Sequence, residues 1–547
     1  MMMMMMMMMM VCWWSLMVVT GVLLFRLIQV YETVWKKPKR IRSTLSKQGI
    51  GGPTPAFLYG NVKEIQNMES ESVLMVNKSE DEDEDGKTIQ AISHHHWVRS
   101  TFPYLQRWTF DYGPMYMFST GSQQHLYLSQ PELIKELKLH KSLELGKPSY
   151  LSKALEPMLG NGIIKANGHQ WAHQRRLIAP EFFLHKVKGM IGLMEECTMA
   201  MVKTWEIRLI ESQGGVADLM IDQDLRSLSA DIISRACFGS SYSQGKNIFA
   251  KLRVMQEAMS KPSLLFGLPN LKFLPTKSNR EIWRLKREVE ELILKVVKDR
   301  QEESQKDTGI YGKDLLEMIL ESAATDTELQ KSTHDTHRFI VDNCKNIYFA
   351  GYETTALAAS WTLMLLALYP EWQQRVRAEI VHNWGDKNLH QTSASIDLDK
   401  LRQLKTLTMV IQESLRLYAP SLVVAREAFA DIKLGNLVVP KGIHIWNSIP
   451  ALHRDPENWG SDANEFKPDR FAGGISEACK YPQAYVPFGY GSRLCVGQTF
   501  ALIELKIILS ILVSNFSFSL SPKYRHSPVY KMLLMPQHGM RLLVKKV

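Results

Sequence analysis

Residues 485–506, YVPFGYGSRLCVGQTFALIELK, constrain this chain more than any other stretch. One cysteine, Cys495, stands among Gly489, Gly491 and Gly497, with Arg493 two residues before it and an apolar, helix-like run directly after it. A thiolate that serves as an iron ligand needs close backbone approach, stabilisation of its charge, and little water. The glycines remove side-chain bulk and permit positive φ, which lets amide N–H groups turn toward the sulfur. A helix beginning just past the cysteine offers it the positive end of its dipole. Phe488 is placed to pack beside the sulfur and keep it dry, and Arg493 to bind an anionic group. A structural cysteine in a glycine-rich turn is the plainer alternative, and this stretch alone leaves it open.

The rest of the composition is that of a globular protein, 45% hydrophobic and 22% charged over 547 residues. The six cysteines, Cys12, Cys197, Cys237, Cys344, Cys479 and Cys495, show no CxxC spacing. That argues against a disulfide framework and for a reducing compartment; all but Cys495 and Cys12 read as small core or helix residues. Of the net charge of +10, six cations crowd one short stretch: Lys36, Lys37, Lys39, Arg40, Arg42 and Lys47. Such a cluster beside an apolar segment points to a membrane surface and not to nucleic acid. Residues 1–25 carry no charge, and apolar character persists to Val34 around Arg26, Gln29 and Glu32. A bilayer-spanning helix needs about 20 residues, so residues 1–34 are expected to form a single transmembrane anchor with Arg26 snorkelling at its edge. A cleaved signal peptide fits less well, because a basic leading region and a small-residue cleavage site are missing. The cations that follow place the remainder in the cytosol.

Residues 35–60 are expected to form a basic stretch and a stiff Pro/Gly hinge (QGIGGPTPAFLYGN). The acidic run NKSEDEDEDGK reads as a solvated loop, and His94, His95 and His96 as a weak metal candidate without paired ligands. Residues 115–120 and 125–129 read as a β-hairpin. Helical patterns dominate from about residue 131 to 417, as in 281–300 and 370–381, and short strands such as 432–442 cluster late. With no repeats and no flexible linker, residues 61–547 are expected to be one mainly α domain with small β-sheets.

Three further constellations carry chemistry. In residues 346–368, an apolar helical run too long for a surface, AGYETT brings Gly351, Glu353, Thr354 and Thr355 together. A threonine bonding back to the preceding turn beside a glycine bends a helix and opens a polar notch, and an acid beside a hydroxyl suits proton relay. Glu413 and Arg416 share a helical face, as do Trp171 and Arg175. Taken singly, a surface ion pair or a threonine-rich buried helix would explain these residues too.

Together the motifs resemble the cytochromes P450. The pattern Phe-x-x-Gly-x-Arg-x-Cys-x-Gly is matched by Phe488, Gly491, Arg493, Cys495 and Gly497. The resemblance implies the P450 fold with an N-terminal transmembrane anchor, haem b bound through Cys495, and a thiolate that favours O–O cleavage. It implies proton delivery by Glu353 and Thr354, a structural network of Glu413, Arg416 and Arg470, and propionate contacts from Trp171, Arg175, Arg493 and, more weakly, Arg426 and His453. For Arg426 a solvated arginine, and for His453 a capping histidine, remains an alternative. The words GNGIIKANGHQWAHQRRLIAPEF and ALHRDPENWG are similar to those of the plant 72 clan, closest to the family that contains gibberellin oxidases. The implied activity is insertion of one oxygen atom from O2 into an apolar terpenoid-type substrate, a gibberellin or related diterpenoid, by hydroxylation or epoxidation. Electrons would come from NADPH through a separate NADPH–cytochrome P450 reductase at the endoplasmic-reticulum membrane. Alternatives are oxidation of another plant hormone or specialised metabolite, a P450-like isomerase or dehydratase, and a non-catalytic haem-binding protein. The substrate cavity is expected to be lined by Phe339, Asn343, Ile347 and Ala350, and by residues 147–163, 420–425 and 533–540. A cytosolic body leaves the sequons at Asn77 and Asn515 bare, so a glycosidase-sensitive gel shift of the expressed protein would reverse this topology.

Overall fold

A computed structural model of the chain describes residues 2–81, 97–239, 242–260, 274–306, 314–325, 333–384 and 396–547. His94, His95 and His96, and the acidic run beyond Asp81, lie outside the described residues. The uncharged N-terminal run forms α1 (Met2–Tyr31), and its described side chains are exposed along the whole length. A helix apolar on every side with no protein partner suits lipid and not a core. A π-helical turn (Glu32–Lys36) carries it into α2 (Lys37–Ser46). Most of the basic cluster is therefore helical, and the chain leaves the helix at Lys47, just before the Pro/Gly segment. Pro38 removes one backbone donor near the start of α2, a defect that the wider π turn absorbs. Ile41 and Leu45 of α2 are buried in the apolar cluster beneath the main sheet, and Arg42 ties α2 down through Ser119 Oγ (3.3 Å) and the Pro53 carbonyl (3.1 Å).

The hairpin of β1 (Met115–Thr120) and β2 (Gln123–Leu128) closes on Gly121, whose φ of 60° fits a two-residue turn. That tight closure starts the second strand two residues earlier than its pattern suggests. Then follow β3 (Leu145–Gly146), α3 (Gly168–Ile178), β4 (Val216–Met220), α4 (Ile221–Phe238), α5 (Lys277–Lys306), α6 (Thr333–Leu368) and α7 (Lys405–Leu417). The C-terminal part adds β5 (Val423–Ala428), β6 (Ile432–Leu434), β7 (Leu437–Val439), β8 (His444–Ser448) and α8 (Gln498–Asn515). It ends with β9 (Phe516–Leu520), β10 (Pro528–Lys531), β11 (Leu533–Pro536) and β12 (Arg541–Lys546). One sheet runs β1-β2-β8-β5-β3 and a second β4-β12-β9, with β6–β7 and β10–β11 as separate hairpins. The fold is mainly α with small sheets, as its patterns imply.

The central helix α6 is buried nearly all round and packs between α4 and α8. It stays α-helical throughout, so AGYETT does not break it. Gly351 has a different use: a Cβ there would lie 2.5 Å from Ile233 Cγ1 of α4. The glycine lets the two helices approach closely, and overpacking at such a contact costs about 1–3 kcal/mol.

The expected ion network is present. Arg416 grips Glu413 through two nitrogens (2.6 and 2.8 Å) and donates to the carbonyls of His453, Ala463 and Glu465. Arg470 adds a weaker contact to Glu413 (3.4 Å) and pairs with Asp462 (2.7 Å). His453 belongs to this network and not to a propionate contact: Nδ1 donates to the Arg416 carbonyl (3.1 Å) and Nε2 accepts from the Val486 N–H (2.9 Å). Both ring nitrogens are thereby committed to backbone. Asn515 is also buried, its amide donating to the Ile511 carbonyl (2.7 Å), so of the two sequons only Asn77 reports on topology.

Three buried histidines and the half-buried His526 make the fold acid-sensitive. Burial takes His444 and His453 down to about 3 and His526 to about 4, and it lowers His125 as well. An unfolded histidine titrates near about 6.5. Below that pH the unfolded chain binds protons that the folded chain refuses, so each histidine withdraws about 1.4 kcal/mol per pH unit. Thermal unfolding should give a Tm that is level above about pH 6.5 and falls steadily toward about pH 5; a Tm that rises over that interval would contradict neutral burial.

Candidate active site

The cysteine loop is built by its backbone. Gly489 (φ 76°) and Gly491 (φ 68°) adopt the left-handed conformation that a Cβ disfavours. Gly497 does not, with φ −90°; it is instead the residue at the N-terminus of α8. The Cys495 N–H donates to the Phe488 carbonyl (3.0 Å), which curls the loop around the sulfur. Cys495 sits deep among protein atoms yet keeps an open face. Burial raises its thiol, while the Gly497 N–H and the charge of Arg175 act in the opposite sense and favour the thiolate. The positive end of α8, two residues on, works the same way.

Cations surround this face. Arg493 lies over the Trp171 ring (4.3 Å to its centre) and donates Nη2 to Asn167 Oδ1 (2.8 Å), leaving Nε and Nη1 buried without partners. Arg426, 6% exposed on β5, lies 5.4 Å from the Tyr490 ring centre and donates to the Ala425 carbonyl (3.0 Å). Lys147, just past β3, completes the group; burial first, then Arg426 and Arg493, pull it down to about 7. Burial lowers Arg493 to about 9, with Arg426 and Arg175 adding to the shift. Three crowded cations, Arg426 buried and Lys147 and Arg493 half-buried, repel one another with no carboxylate among the described residues to offset them, which is costly unless an anion joins them. The two carboxylates on one edge of haem fit that demand, and Cys495 fits the iron. Arg175, another expected contact, donates to the Leu494 carbonyl (2.7 Å) and so braces the cysteine loop. Lys147 was missed in sequence because a lysine in a loop carries no motif.

Between Phe339 and Leu366 of α6 the residues with partly open surface are Ala350, Gly351 and Thr354, one face of an otherwise buried segment. Thr354 Oγ1 donates to the Ala350 carbonyl (2.8 Å), the back-bond expected of it. Glu353 departs from the simple acid–hydroxyl pair. It is fully buried, with Oε1 held by Arg226 Nε of α4 (2.9 Å) and Oε2 without a partner, and Arg226 also grips Asp222 (2.6 Å). Asn343 is not a free cavity group either, since its amide is bonded to backbone at both ends, at Ile163 and Phe339. Leu533, Leu534, Met535 and Met540 are packed in the core. Sequence reasoning also missed Glu504 of α8, a buried acid that burial raises to about 8, near Ser229 and Thr355. Behind the loop lies a groove of about 580 Å³, lined by apolar residues such as Ile411, Phe488, Leu494 and Leu502 and bordered by Lys138, Arg402 and Lys506.

Known proteins agree with this geometry. The family profile described as Cytochrome P450 matches residues 86–544. Cytochrome P450 714C2 of Oryza sativa subsp. japonica is 46% identical over 530 residues, 97% of each chain. Cytochrome P450 714A2 of Arabidopsis thaliana is 48% identical over 513 residues, 92% of this chain and 93% of the relative. Cytochrome P450 714D1 of Oryza sativa subsp. japonica is 40% identical over 538 residues. With a cysteine loop built for a thiolate ligand and similarity running through nearly its whole length, this chain belongs to the cytochrome P450 family of haem monooxygenases.

Proposed function

We propose that the chain oxidises an apolar, compact terpenoid, a gibberellin or related diterpenoid, by hydroxylation or epoxidation. The observation that carries the oxidation chemistry is Cys495 in its glycine-shaped loop beside a cluster of uncompensated cations. The substrate class rests on the motif resemblance to the plant family that contains gibberellin oxidases. Haem held by Cys495 supplies O2 activation and transfer of one oxygen atom. Lys147, Arg426 and Arg493 hold its acidic edge, with Trp171 fixing the Arg493 plane and Arg175 bracing the loop. The apolar Ala350–Gly351 surface excludes water from the reacting carbon. Thr354 Oγ1 holds a proton at the rim of that surface, and Glu353, poised by Arg226, is the acid from which the turn is resupplied.

The N-terminal helix α1 is long and apolar enough to cross a membrane, which supports anchoring in the endoplasmic reticulum with the catalytic body cytosolic. Electrons then arrive from a separate NADPH-dependent flavoprotein reductase. The groove behind the cysteine loop, with Lys138, Arg402 and Lys506 at its border, offers that partner a docking face complementary to negative charge.

Microsomes containing the protein and a plant reductase, given NADPH and a panel of gibberellin intermediates, should add one oxygen atom to a panel member, read by mass spectrometry. No turnover by protein with an intact reduced carbon-monoxide spectrum would discard the gibberellin reading. With an accepted substrate, Thr354→Ala should divert about 99% of NADPH consumption to hydrogen peroxide, the lower end of the 10²–10⁴-fold scale of proton-transfer catalysis. Tight coupling in that variant would remove Thr354 from proton delivery.

A further inference from the structure

The segment between β3 and α3 is held by side chains of the central helix. Asp342 Oδ2 accepts from the Asn161 N–H (2.7 Å), Asn343 Oδ1 from Ile163 (3.2 Å) and Asn346 Oδ1 from Ile164 (2.8 Å). Asn346 Nδ2 donates in return to the Leu159 carbonyl (2.7 Å). Loop backbone normally gives such groups to water; here they meet side chains that are 4%, 0% and 0% exposed. The loop glycines are shaped to this contact. A Cβ on Gly160 would lie 1.7 Å from Asp342 Oδ1, and one on Gly162 would lie 2.4 Å from Asn346 Nδ2.

The other flank of the loop meets α3, where Gln174 Nε2 donates to the Asn161 carbonyl (2.9 Å). Behind it, the Asp342 charge is balanced by the buried Lys345 (3.0 Å), which also reaches Glu290 of α5 (3.2 Å). Lys286 of α5 pairs with Glu156 at the start of the loop (2.9 Å). The loop is thus a spacer between α3, which carries Trp171 and Arg175, and α6, which carries Thr354. Neither AGYETT nor the cysteine loop contains Asp342, Asn343 or Asn346.

We infer that Asp342, Asn343 and Asn346 are positioning residues that set the spacing between α3 and α6, and with it the size and shape of molecule that fits over the cysteine. This deepens the functional reading above and rests on its placement of haem between those helices. A loop bonded to rigid helix side chains keeps one height over the site, whereas a loop bonded to water drifts. Displacements of about 1 Å are enough to redirect a reaction. The clamp therefore selects among ligands by bulk without touching them.

Graded azoles test this on the ferric holoprotein, since each reports binding through a shift of the haem absorption band. Imidazole, 4-phenylimidazole and 1-adamantylimidazole would be titrated against wild type, Asn343→Ala and Gly162→Ala. Asn346→Ala is the obvious variant, but it strands two buried backbone groups; the other two remove a single link or press on the clamp from the loop side. Both should keep the thiolate carbon-monoxide spectrum and imidazole affinity within about twofold, while affinity for the adamantyl compound relative to imidazole rises about fivefold or more. Amide exchange across residues 159–166 should quicken about tenfold in Asn343→Ala. An unchanged azole ratio would overturn the inference, whether or not exchange quickens. A wild-type protein that shows neither an azole shift nor a thiolate spectrum would overturn the haem placement itself, and the inference with it.

Discussion

The structure turns on an electrostatic imbalance. Arg426 lies buried and Lys147 and Arg493 half-buried in one cluster with no acid among its described neighbours, beside the loop that carries Cys495. In a low-dielectric interior such a cluster opposes folding unless negative charge joins it. The surrounding architecture reads as support for it. Tyr490 and Trp171 offer ring faces to two of the cations, and Asn167 bonds both the Arg493 side chain and the Lys147 backbone. The Lys147 N–H donates to the same oxygen that Arg493 uses, so β3, α3 and the cysteine loop are locked around one point.

Two other buried cations are matched by acids. Arg416 is satisfied by Glu413 and three carbonyls, and Arg226 by Asp222 and Glu353. Breaking either pair would strand a charge and cost about 3–5 kcal/mol. These networks hold the scaffold, while the unmatched cations mark the place where a ligand is expected to complete the charge balance. Glu353 belongs to both groups: it anchors α6 to α4, and it lies next in sequence to the hydroxyl that faces the site.

The sequence was most informative where a function is local. Cys495, the helix after it, the Glu413–Arg416 pair and the Thr354 back-bond all sit within a few residues of the partners that define them. Residues whose roles depend on distant segments were read poorly or missed. Lys147 meets Arg426 and Arg493 from positions hundreds of residues away. Arg226 reaches Glu353 across 127 residues, and Asp342, Asn343 and Asn346 reach a loop about 180 residues earlier. His453 shows the converse error. It lies near the right elements, but both nitrogens are taken by backbone, which only coordinates reveal. Gly351 and Gly497 show that a glycine in a motif has more than one use, close helix packing in one case and a helix start in the other.

All of this depends on Cys495 being the iron ligand. The most direct measurement is the absorption spectrum of the reduced, carbon-monoxide-bound protein, for wild type and Cys495→Ala, each at matched haem content. Wild type should show the band of a thiolate-ligated haem, and the alanine variant should lose it while the other cysteines remain in place. A band unchanged by Cys495→Ala would place the iron ligand elsewhere and contradict the account at its centre.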